Sequence, residues 1–146
     1  MKGDINKRVH FFSQSLSIPI RDRKKFKSFV DYVFRAEAKS LKLVNFIFCT
    51  DEELRKLNND FLKHDYYTDI LTIDLSEEKK DITADIYISI DRIRDNANIF
   101  NVSFSKELHR VMIHGILHLC GYKDKKNSDI MQIRKAEEKY LAKYFG

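Results

Sequence analysis

A chain of 146 residues with 43% hydrophobic side chains, seven Tyr and eleven Phe carries enough apolar surface to bury a core unaided, which excludes a disordered or low-complexity segment. Lys and Arg number 27 against 22 Asp and Glu, and a net charge of +5 permits an anionic partner without demanding one. Cys49 and Cys120 stand in apolar runs and read as buried free thiols of a reducing compartment; no run reaches membrane-spanning length and the N-terminus MKGDINKRVH has no apolar leader, so a cytoplasmic protein with no membrane partner is expected.

One Pro and four Gly, with no repeat or linker, make residues 1–146 a single expected domain of long regular elements. Ile5 to Ser13 is a candidate opening strand. Pro19 stands near the start of a helix over Asp22 to Lys39, where Phe26, Phe29, Val30, Val33 and Phe34 recur at helical spacing and Arg23 to Lys27 supply a solvated face. Leu43 to Cys49 is rich in strand formers. Thr50 with Glu53 three residues on is a capping box that opens a helix through about Asp60. Ile70 to Leu75 is a short strand, Glu77 to Asp81 a charged turn, and Ile82 to Ile90 the clearest strand, with Ile82, Ala84, Ile86, Ile88 and Ile90 alternating against polar neighbours. Helices are predicted at Asp91 to Phe100, Lys106 to Cys120 and Ser128 to Tyr144. Elements mixed in this way give an α+β domain: a small mixed sheet of about four strands packed with about five helices.

The chemistry concentrates in one of those helices. His109, His114 and His118 fall in an apolar stretch, VMIHGILHLCGY, that reads as a buried helix. His114 and His118 are four apart and so share a face, where two imidazoles can bind one ion at about 2.0–2.1 Å. Gly121 is placed to end the helix with positive φ, and Asp124 follows close enough to add an oxygen ligand. The pattern His-x3-His-x2-Gly-x2-Asp has the spacing of the metzincin zinc site with two substitutions. Gly115 stands where those proteases carry their general-base Glu, which argues against a zinc-dependent peptidase. Asp124 stands where they carry a third His, and a His2Asp set remains a sound site for zinc, or for nickel, cobalt or iron. A lone buried His is more often a hydrogen-bonded core residue, but this constellation is far more specific. His109 reads as a supporting or surface residue, and Cys120 as core packing. Gly115 costs a helix about 1 kcal/mol against Ala, so tight packing or close substrate approach is expected there.

The run His114-Gly-Ile-Leu-His118-Leu-Cys-Gly-Tyr122 resembles the motif of the YbeY family of bacterial rRNA maturation factors, matched as far as Tyr122. Glu107 stands seven residues before the first ligand, as in that family, Asp65-Tyr-Tyr-Thr68-Asp69-Ile-Leu71 resembles a second signature, and Ala84-Asp85-Ile-Tyr-Ile-Ser89 resembles a third. The resemblance covers roughly residues 57 to 124, with element pattern alone before that. It implies a metal-dependent, single-strand-specific endoribonuclease in small-subunit rRNA maturation and ribosome quality control. Its partners would be rRNA precursor, the small subunit and ribosomal proteins, and no side chain is assigned as catalytic beyond water activated by the metal. On this view Lys63, His64 and Arg110 are candidate phosphate contacts, each with an alternative as a plain solvated charge. Two departures stand out: by alignment Leu62 replaces a family Arg that serves the phosphate, and Lys123-Asp124 replaces an Asp-His pair. The loss of the Arg keeps open a non-catalytic assembly factor with a structural metal.

Overall fold

The structure, a computed structural model, describes residues 4–13, 17–63, 68–77 and 81–146. In chain order its elements are β1 (Val9–Ser13), α1 (Arg23–Ala36), β2 (Leu41–Cys49), α2 (Asp51–Leu62), β3 (Ile70–Asp74), β4 (Ile82–Ser89), α3 (Ile90–Phe100), α4 (Phe104–Leu119) and α5 (Asn127–Phe145). The sheet runs β1-β2-β4-β3, with β1, β2 and β4 parallel and β3 antiparallel at the edge beside β4. This is the expected α+β fold.

Local chemistry explains most boundaries. Thr50 accepts from the Glu53 amide while the Glu53 carboxylate accepts from the Thr50 amide, so the expected capping box opens α2. Ser89 and Ser103 cap α3 and α4 in the same one-sided way, each accepting an amide of the first turn. The opening segment differs from expectation: Ile5–Lys7 is a 3-10 turn and the strand begins only at Val9. Asp4 pins that turn, its carboxylate accepting from the Asn6 amide and its carbonyl from the Lys7 amide. α1 also stops three residues early, because Ala38 takes a left-handed φ of +57° and the Lys39 amide closes back on the Phe34 carbonyl at 2.8 Å. The Glu77–Asp81 turn lies largely outside the described residues.

Period-two alternation divides the sheet. Val44, Phe46 and Phe48 of β2 and Ala84, Ile86 and Ile88 of β4 turn to one face and join the main core with α1, α3, α4 and α5. Leu71, Ile73 and Tyr87 turn to the other, where they meet Cys49, Leu54 and Leu57 in a smaller cluster under α2. Neither cysteine pairs, and both are buried.

α4 is buried nearly all round, as its sequence foretold, and it lies close on the sheet. A Cβ at Gly115 would sit 2.8 Å from Ile70 Cδ1 and 3.2 Å from both Ile86 Cδ1 and Cγ2. The glycine therefore serves packing, and it seats the helix against β3 and β4. His109 departs from its reading as a supporting or surface residue. It is 3% exposed, stacks on Tyr144 at 4.9 Å between centroids and meets Phe26 and Phe145 edge-on at 5.2 Å. Its Nδ1–H donates to the Ser105 carbonyl at 2.6 Å. Burial, with the Lys25 charge adding to it, holds its pKa below the ordinary histidine value.

Two outcomes follow from this packing. Gly115→Val should cost about 2–3 kcal/mol by overpacking, read as a melting temperature lower by about 5–10 °C; an unchanged melt would mean α4 has room to move. Because His109 is held neutral, the unfolded chain binds the proton more readily. Its contribution to stability is complete above about pH 6.5 and drains away as pH falls below that value. Denaturant titrations from pH 7 to pH 5 should show that loss, and His109→Phe should flatten it.

Candidate metal centre

The last two turns of α4 and the bend after it assemble the site. Cys120 caps the helix, Gly121 takes φ +106°, and the Tyr122 amide bonds back to the Leu117 carbonyl at 3.0 Å. This is the glycine exit that the sequence called for. It folds the chain over the helix end, so that the Tyr122 carbonyl reaches His118 Nδ1 at 2.9 Å. It also brings an Asp124 oxygen 3.2 Å from His118 Nε2 and 3.7 Å from His114 Nε2. The two Nε2 atoms stand 2.9 Å apart. The structure thus brings together all three residues read as ligands, a group that could hold a metal ion.

Protonation logic sharpens the fit. A carbonyl only accepts, so His118 must carry its proton on Nδ1. His114 Nδ1 lies 2.6 Å from Glu137 Oε2. Burial alone would raise the Glu137 pKa, but hydrogen bonds and charge from His114 and Arg110 outweigh it and leave the pKa below the ordinary value. Glu137 is therefore an ionised acceptor, and it fixes the same tautomer on His114. With Nδ1 of each ring so committed, the two Nε2 atoms face one another and a carboxylate oxygen. Three such atoms repel unless a cation, proton or metal, lies among them. A tetrahedral ion with bonds of about 2.0–2.1 Å holds its donors about 3.3–3.4 Å apart, and the three separations here bracket that value. The donor set fits a borderline metal such as zinc.

Glu137 was missed in the sequence reading. Its signal was faint but present: it lies on α5 among Ile133, Ala136, Tyr140, Leu141 and Tyr144, a carboxylate on a buried face. A buried acid on an apolar face asks for a partner. A second support was wholly illegible. Glu37, at the C-cap of α1, takes a hydrogen bond from the Tyr140 hydroxyl and so ties α1 to α5. Burial and the neighbouring Glu37 carboxylate raise the Tyr122 pKa.

The donors open into a groove of about 640 Å³, lined among others by Asn58, Leu62, Asp69, Asp74 and Lys125. Asp69 receives a hydrogen bond from Asn96 at 3.1 Å. Burial raises its pKa, against the opposing charges of Arg110 and His114. Of the substrate-contact candidates, Lys63 is exposed at the C-cap of α2 in a left-handed conformation, φ +59°, and does not line the groove. His64 lies outside the described residues. Arg110 donates to Glu107 and Glu137. Lys125, not singled out from sequence, is the cationic side chain among the described groove residues. Its signal was adjacency to Asp124. For a peptidase, the general-base position remains empty, and Ile70 and Ile86 crowd any Cβ at residue 115.

Fold and site together define an α+β protein with a zincin-like cluster on a buried helix. A family model described as Endoribonuclease YbeY matches residues 9–145. Among similar proteins, the endoribonuclease YbeY of Cytophaga hutchinsonii is 43% identical over 92% of this chain and 94% of its own. That of Porphyromonas gingivalis is 42% identical over 92% and 88%. The solution structure of a Thermotoga maritima protein superposes with a TM-score of 0.62 at 28% identity, covering 94% of this chain and 89% of that one. The chain belongs to the YbeY endoribonuclease family. The match extends well beyond the stretch that carried the motifs, reaching into β1 and through α5.

Zinc reconstitution followed by metal analysis checks the cluster. Wild type should retain a stoichiometric ion through gel filtration, while His118→Ala and Asp124→Ala, confirmed as folded, should lose most of it. Undiminished metal in both variants would remove the site.

Proposed function

We propose that this protein is a metal-dependent endoribonuclease that cuts single-stranded RNA in the cytoplasm. Its task on this reading is maturation and quality control of small-subunit rRNA, with ribosomal proteins as further contacts. Family membership supports the nuclease class, and the observation that carries the metal dependence is the convergence of His114 Nε2, His118 Nε2 and Asp124 Oδ2. These three would hold one ion, zinc by the chemistry of the set. When bound, it supplies the Lewis-acid charge that phosphodiester cleavage requires. Glu137 and the Tyr122 carbonyl keep both imidazoles in the ligating tautomer.

The groove's charges support an anionic substrate only when the ion is present. Asp69, Asp74 and Asp124 face Lys125 as the described ionisable lining beside the histidines. An RNA phosphate entering without a cation meets a net negative wall. Lys125, next to Asp124, is placed to take a flanking phosphate. The donors line the groove, and His114 and His118 are recessed at 18% and 26% side-chain exposure; an unpaired strand turns a phosphate toward recessed groups more cheaply than a rigid duplex does.

One observation favours a second reading. Leu62, where the family carries Arg, lines the groove and is 48% exposed; an aliphatic chain there gives a phosphate no fork of donors. A ribosome-assembly factor with a structural metal would tolerate that. Rescue of rRNA processing by a folded His114→Ala protein would favour it.

The direct experiment incubates zinc-loaded protein with unpaired rRNA fragments. Cleavage should occur, stop with chelator and return with metal; intact RNA across several metals would end the nuclease reading. Lys125→Ala should keep its metal and raise KM several-fold. It should also flatten the slope of log KM against log salt by about 0.7, one phosphate contact on a single strand.

A further inference from the structure

Arg110 sits one turn before His114 on α4, and its guanidinium is surrounded by acid. Its Nε donates to Glu107 Oε1 at 2.8 Å and one terminal nitrogen to Glu107 Oε2 at 2.7 Å, a two-pronged grip. The other terminal nitrogen donates to Glu137 Oε1 at 3.0 Å. The remaining Glu137 oxygen lies 2.6 Å from His114 Nδ1. A continuous strut thus runs Glu107–Arg110–Glu137–His114, with three members on one face of α4 and Glu137 reaching across from α5. Both carboxylates are almost wholly buried, at 2% and 3% side-chain exposure. The exposed edge of Arg110 opens into a different hollow, of about 240 Å³, lined with Phe100, Arg134, Glu138 and Leu141. That hollow shares no lining residue with the groove at the donors.

We propose that Arg110 is a positioning residue for the metal centre: it holds Glu137 in the rotamer that receives the His114 Nδ1–H, and so keeps His114 Nε2 bare and aimed at the ion. The inference rests on the reading that His114 takes a metal. The guanidinium neutralises one of two buried carboxylates that would otherwise repel each other, and it fills one Glu137 oxygen so that the other faces the imidazole. Lys could not do this. Its single ammonium lacks the planar fork that grips Glu107 with two nitrogens while a third reaches Glu137. An arginine held by two acids and facing a separate hollow is poorly placed to serve an RNA phosphate in the groove.

The test uses Arg110→Lys and, because an unpaired buried Glu107 could unfold the protein, the double variant Glu107→Gln/Arg110→Met. Zinc affinity measured against a chromophoric chelator should fall by about ten- to a hundredfold in both, the usual cost of losing an outer-shell partner. KM for RNA at saturating zinc should stay within about twofold of wild type, since no phosphate contact is lost. In metal-free protein, imidazole 15N shifts should show His114 as the Nδ1–H tautomer in wild type and a tautomer mixture in the variants. Unchanged zinc affinity together with unchanged tautomer would overturn the proposal. A raised KM with a shallower salt slope would also overturn it and return Arg110 to the phosphate role. Wild-type protein that binds no zinc would defeat the metal reading instead, while the tautomer measurement would still decide what Arg110 does to His114.

Discussion

Both site histidines give their Nδ1–H to a fixed acceptor, and the geometry of the centre depends on that constraint. Glu137 takes one proton and the Tyr122 carbonyl the other. With each Nδ1 committed to its acceptor, each ring is left with Nε2 to offer to the other ring and to Asp124. The fold holds them together because each acceptor is anchored elsewhere: Glu137 by Arg110, and Tyr122 by the hydrogen bond from its amide to the Leu117 carbonyl. Close approach of the two imidazole nitrogens is thus set by tertiary structure, and local arrangements of this kind collect at functional sites.

What makes the anchoring possible is the burial of α4. A helix covered on every side can present ligands at one end and rest its flanks on a sheet, on α1 and on α5 together. Gly115 permits the closest part of that seat, where Ile86 and Ile70 occupy the space a side chain would need. The same residue decides chemistry by omission. A zincin proteolytic base belongs at this position, and the sheet has claimed it. One absent Cβ thus both seats α4 on the sheet and leaves no zincin base beside His114.

The cluster was legible because it is local: His114 and His118 are one helical turn apart, and the Gly121 bend brings Asp124 back beside them. Strand alternation in β4 and the Thr50 capping box were legible for the same reason. The supports were not. Glu137 approaches from another helix, and only its place on a buried face hinted at a partner. Glu37 gives no hint at all, since an acid at a helix end is ordinarily solvated. His109 shows the reverse error. Proximity in sequence to His114 and His118 suggested a supporting or surface residue, but its position along α4 turns it into the core against Phe26 and Tyr144. Arg110 looked like a free cation because the two carboxylates that hold it are visible only once α4 and α5 are packed.

The acidity of this centre has a consequence for the proposed chemistry. Replacing a third imidazole by Asp124 adds a negative charge to the donor set, and Glu137 adds another behind His114. Each strengthens the hold on a divalent cation, and each reduces the positive charge left to stabilise a phosphoryl group. Leu62, which lines the groove, offers no cation either. A nuclease so arranged must recover transition-state charge from residues that reach the substrate from outside the ligand set. On the proposed reading that would fall, among the described groove residues, to Lys125, a flexible ammonium on the bend that carries Asp124. With an ion bound, metal retention and electrophilic strength would be set against each other, and the same bend would supply both the acid that weakens the ion's charge and the base that compensates for it.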